Sequence, residues 1–109
     1  MKIRLIITNN KEVVVTRSIS DYSRYFTYPE LESDRFDSLQ DLIQYRLDQF
    51  VNHRLVQSVE LLDMRRSHNE EVVYCKILVA KLPEEKKFKL VKIDELDHYL
   101  LPSSYRVKL

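Results

Sequence analysis

The sequence predicts an α+β fold built around a mixed β-sheet. Short apolar runs rich in Ile, Leu and Val recur along the chain, several alternating with charged residues, as strands do. One stretch, Ser38 to Val51, instead carries its apolar residues at helical spacing. The predicted order is β-β-(β)-α-β-β-β-α, with no repeat, low-complexity stretch or linker. At 109 residues, 44% hydrophobic and 32% charged, the chain suits one globular domain spanning residues 1–109, with a single core.

The first element is a hairpin. Lys2 to Thr8 alternates Lys and Arg with Ile and Leu, Asn9-Asn10 interrupts, and Val13-Val14-Val15 resumes. Asn tolerates the positive φ of a tight turn better than most residues, so the Asn pair stands in for glycine. Ser18 to Arg35 has four aromatics and Pro29 but no clear period, and reads as a short strand entering a loop. The helix follows over Ser38 to Val51, capped by Asp37 or Ser38, with Asp41 completing a capping-box-like pair. Leu55 to Met64 and Val72 to Lys81 read as strands joined by a turn at Arg65 to Glu71. Leu82 to Lys87 is a loop and Phe88 to Ile93 a strand. Asp94-Glu95-Leu96 opens a short helix that Pro102 ends.

Composition excludes much chemistry. The chain has no glycine, where an average sequence of this length carries about eight. G-x-G-x-x-G turns, Walker loops, EF-hands and G-x-S-x-G elbows are therefore absent. The formal charge of +1 gives no field for capturing nucleic acid or an anionic membrane. Arg65-Arg66 and Lys86-Lys87 read as solvated turns rather than phosphate clamps. His53, His68 and His98 lack zinc-ligand spacing, and Cys75, the one cysteine, reads as a small core residue. The seven tyrosines and four phenylalanines read as core filling rather than a base-stacking platform. With no disulfide partner, no spanning apolar run and no signal-peptide core, a cytoplasmic location is expected.

The predicted helix hides a charge. With Leu39 at zero on a helical wheel, Phe50 falls at about 20°, Ile43 at about 40° and Leu42 at about 300°. Arg46 falls at about 340°, inside the apolar stripe, with Gln49 beside it at about 280°. Two explanations remain open: Arg46 snorkels or pairs with a buried carboxylate, or this edge of the helix lines a site.

The segment from Phe26 to Leu55, FTYPELESDRFDSLQDLIQYRLDQFVNHRL, resembles the Nudix (MutT-type) hydrolases. Their pattern, G-x5-E-x7-R-E-U-x-E-E-x-G-U with U apolar, can be laid on it without a gap. Phe26 and Pro29 fall on the family's aromatic and proline, and Glu30 and Leu31 on its turn glycines. Asp37 falls on the first glutamate, Tyr45 on the arginine, and Arg46, Gln49 and Phe50 on the later glutamates. Leu47 keeps the apolar position, while Asn52 and His53 take the last two. Only Leu47 matches fully, and Asp37 matches by charge. The opening hairpin, and the run from strand to short helix in LVKIDELDHYLLPSSYR, also resemble the family. The resemblance implies a Nudix-like α/β/α sandwich, with one main box-equivalent helix and a short C-terminal helix.

It also implies a damaged active site. In the family the box glutamates hold divalent metal, and Mg²⁺ requires hard oxygen ligands. Arg46, Gln49 and Phe50 supply no carboxylate. The candidate binding residues are then Arg46, Gln49 and Tyr45, with the Arg46 guanidinium placed to take a phosphate in the metal's stead. The first expectation is a degenerate domain without a cofactor. Its partner would be a nucleotide-like small molecule, a protein or a second copy of the chain, with membrane and nucleic acid disfavoured. The alternative is a divergent Mg²⁺-dependent nucleoside-diphosphate hydrolase using Asp34, Asp37 and Asp41, acids whose plainer role is helix capping.

Overall fold

The structure, a computed structural model, describes residues 1–17, 25–32, 47–67, 69–100 and 104–106. It has seven strands in a mixed sheet: β1 (Lys2–Thr8), β2 (Glu12–Arg17), β3 (Phe26–Thr27), β4 (Glu30–Glu32), β5 (Val56–Ser67), β6 (Glu70–Val79) and β7 (Phe88–Lys92). β1 is the hub. Along one edge it runs parallel to β6, from Lys2 opposite Val72 to Thr8 opposite Leu78, and on the other it meets β2 and β4 antiparallel. β7 lies antiparallel to β2, and β5 closes the far edge against β6. From Leu5 to Thr8 β1 is buried on both faces, as strands of a parallel pair usually are.

The pleat sorts this core into two layers. Ile3, Leu5 and Ile7 of β1, with Val73, Cys75, Ile77 and Val79 of β6, face one side and bury Leu47 and Val51 there. Ile6, Val13, Val15, Tyr74 and Val91 face the other and bury Leu96 and Leu100. Among the described residues, the Leu47–Gln49 turn lies on one face and the Ile93–His98 turn on the other, giving the α+β sandwich the sequence implies. The three described helical pieces, Leu47–Gln49, His53–Leu55 and Ile93–His98, are all 3-10 turns. At the first, the Phe50 and Val51 amides both return to the Leu47 carbonyl, at 2.8 and 2.9 Å. Positions 38–46 of the expected helix lie outside the described residues. No helix among the described residues is long and apolar enough to cross a membrane.

The first hairpin turns as expected. Asn10 has φ 71°, the left-handed region that glycine would otherwise occupy. Asn9 Oδ1 accepts from the Lys11 and Glu12 amides (3.0 and 2.8 Å), and Thr8 Oγ1 donates to the Glu12 carbonyl (2.7 Å). The second hairpin corrects the sequence reading. Arg65 and Arg66 lie within β5 rather than in a turn, and the strands run on until Ser67 faces Glu70. At this exposed tip both faces are wet, so charged residues extend the ladder as readily as apolar ones; an Arg66–Glu71 ion pair spans it.

The terminal segment is pinned by aromatic rings. Tyr28 Oη donates to the Tyr105 carbonyl (2.6 Å), and the Tyr74 ring packs against both Tyr28 and Tyr105. The Arg65 guanidinium lies over Tyr74 and Tyr105, and Arg106 holds Asp97 (2.8 Å) and the Ser104 carbonyl. Tyr28 and Tyr74 are buried, in keeping with a core-filling role, whereas Tyr25 is exposed.

Burial also sets a pH dependence. It pushes the Cys75 thiol up from 9.0 to about 11, and raises the Tyr28 hydroxyl in the same sense. The unfolded chain therefore releases these protons first, and stability falls as pH rises through this window. Urea unfolding should lose on the order of 2 kcal/mol between about pH 9 and about pH 11. Cys75→Ala should flatten the lower part of that decline.

Candidate functional site

The sequence between Leu47 and β5 builds one wall of a surface groove. Leu47 and Val51 anchor it in the core, and Asn52 then caps the next turn, its Oδ1 accepting from the Arg54 amide at 3.0 Å. The Ala80 amide donates to the Leu55 carbonyl (3.0 Å), tying this wall to the end of β6. The β6–β7 loop forms the opposite wall. Its Leu82 is buried in the same core layer, Pro83 stiffens the next step, and the Phe88 amide closes the loop on the Glu85 carbonyl (3.0 Å).

The groove holds about 630 Å³. Its apolar lining comes from Phe50, Val51, Leu55 and Leu82; Asn52, His53, Lys81, Glu84 and Glu85 contribute the polar groups. Phe50 packs on Phe88 with ring centres 6.1 Å apart. Lys87 Nζ lies 5.0 Å from the Phe88 ring centre and 6.0 Å from that of Phe50, and pairs with Glu85 at 3.3 Å. Such a surface suits a ligand with a flat apolar part and charged or amide groups at its ends. Gln49 presents an exposed amide and Phe50 a packed ring, and neither is a hard anionic ligand for Mg²⁺. Among the described residues, no group of three or more His, Cys, Asp or Glu is placed to hold a metal.

Of the candidates chosen from sequence, only Gln49 is described. It is exposed in the turn just before Phe50. Tyr45, Arg46, Asp34, Asp37 and Asp41 lie outside the described residues. Glu30 and Leu31, which fall on the family's turn glycines, are in β4, paired with Arg4 and Ile3, and Leu31 is buried. Sequence reasoning took Glu84 to Lys87 as a solvated turn, and these residues are exposed, but it did not place Glu84 and Glu85 on a groove. The apolar Leu82-Pro83 pair ahead of the charges, of which Leu82 is buried, was the available sign that the loop folds back on the core.

No protein-family model and no curated protein sequence matches the chain. Among solved structures it is similar to MutT, from work on the fish pathogen Aliivibrio salmonicida and the mesophile Vibrio cholerae. The TM-score is 0.65 and the identity 16%, with 93% of this chain and 86% of that chain covered. The likeness establishes a MutT-like, Nudix-type fold.

Proposed function

We propose that this chain is a Nudix-fold binding module from which the family's metal-assisted hydrolysis has been lost. The observation that carries this reading is the Phe50–Phe88 contact beside the exposed Gln49. Where the box pattern calls for two glutamates, the chain has an amide and a ring used for packing. Neither ligates Mg²⁺. The groove supplies a binding surface in exchange, and the Arg46 guanidinium immediately before Leu47 supplies a fork of donors for a phosphate. A protein segment carrying an acidic group would meet the same chemistry, which gives the module a regulatory role open to either kind of partner.

A second reading, a divergent Mg²⁺-dependent nucleoside-diphosphate hydrolase, is favoured by one observation. Glu84 and Glu85 bring carboxylates to the groove from outside the box. Glu85 already pairs with Lys87, which reduces its value as a metal ligand.

Titrating nucleotides and nucleotide-sugars, with and without Mg²⁺, while following Tm tests the small-ligand form. A saturable rise is expected, on the order of 10 °C at a hundredfold excess over Kd, and independent of Mg²⁺. Arg46→Ala and Phe50→Ala should each reduce it. No shift with any compound contradicts the small-ligand form and leaves the protein partner.

A further inference from the structure

We propose that β5 is a self-recognition edge, pairing antiparallel with β5 of a second copy of this chain. β5 ends the sheet, and among the described residues its outer edge pairs with no strand. It also exposes Leu61 and Met64, at 44% and 54%. The charges on it are ordered, with the acids Glu60 and Asp63 ahead of the bases Arg65 and Arg66. An edge carrying charges repels most strands. It accepts one whose charges run in the opposite order, and the same strand turned through a two-fold axis has that order.

The register follows from the pairing with β6. Glu60 faces Lys76 and Arg65 faces Val72, so both side chains share one face of the sheet. Leu61 faces Cys75 and Met64 faces Val73, so these two share the other. In a regular strand Glu60 and Arg65 would fall on opposite faces. The irregularity between Leu61 and Asp63 brings them to the same one. A two-fold axis between Leu62 and Asp63 then sets Glu60 opposite the partner's Arg65, twice over, and Leu61 opposite the partner's Met64, each pair on a common face. Arg65 is already held in place by Asp63 (2.8 Å) and by the Tyr74 and Tyr105 rings, so ordering it costs little.

Sedimentation analysis of the full chain from about 1 to about 500 µM tests this, since an edge contact sits at the small end of specific interfaces. The wild type should pass from monomer to dimer. Glu60→Arg and Arg65→Glu, each alone, set like charges opposite one another and should weaken association at least about tenfold. Mixed in equal amounts, the two variants should form a heterodimer, because every facing pair is then of opposite sign. Leu61→Asp, at an exposed position where the fold tolerates it, should also give monomer, with Tm and far-UV circular dichroism checking each variant's fold. A wild type that stays monomeric throughout, folded single variants that dimerise as it does, or a mixture that stays monomeric would each overturn the proposal.

Discussion

Replacing Tyr74 by alanine should cost about 3–5 kcal/mol, among the largest losses expected from truncating a described residue. Tyr74 is 2% exposed at the middle of the second core layer. Its ring meets Tyr28 edge-on and lies tilted against Tyr105, so its removal leaves a cavity beneath the segment those residues pin. Arg4 donates to its hydroxyl (2.9 Å), and the Arg4 and Arg65 guanidiniums lie over the ring. Tyr74→Phe keeps the ring and should cost only about 1 kcal/mol, the usual worth of one hydrogen bond. Urea unfolding of the two variants separates ring from hydroxyl. Similar losses for both would place the stability in the Arg4 bond instead of the packing.

Leu47→Ala should cost about 2–5 kcal/mol, acting on the opposite layer. Leu47 is fully buried and accepts both returning amides of its turn, so it fastens the groove's first wall to the sheet. The same variant should weaken ligand binding, because Phe50 and Val51 follow directly from that anchor. Leu47→Met conserves volume and should stay within about 1.5 kcal/mol of the wild type. The pair is read by urea unfolding together with the ligand-dependent rise in Tm. A Leu47→Ala chain as stable as the wild type would mean that this wall is not fastened through the core.

Much of the sheet was legible in the sequence because alternation and β-branching report the pleat directly. The Asn9-Asn10 turn was legible for a sharper reason. In a glycine-free chain a left-handed residue must come from the few types that tolerate it, and Asn10 takes it. The tip of the β5–β6 hairpin was not legible. Arg65, Arg66 and Glu71 carry charges that suit a turn as well as a solvated strand, and composition alone cannot separate the two. The groove was half legible. Leu47 and Val51 announced a buried wall through helical spacing, but the opposite wall depends on Leu82 and Pro83, distant in sequence and brought across by the β6 register. The irregularity that sets Glu60 and Arg65 on one face depends on pairing with β6, which no local pattern encodes.

In the proposed function the fold keeps its frame and exchanges metal chemistry for binding. Phosphate and pyrophosphate release from a panel of nucleoside di- and triphosphates and nucleotide-sugars, with Mg²⁺ or Mn²⁺, tests it most directly. No turnover above the uncatalysed rate is expected, while the Mg²⁺-independent rise in Tm remains. Metal-dependent release that disappears in Asp37→Ala would contradict the account and establish the divergent hydrolase.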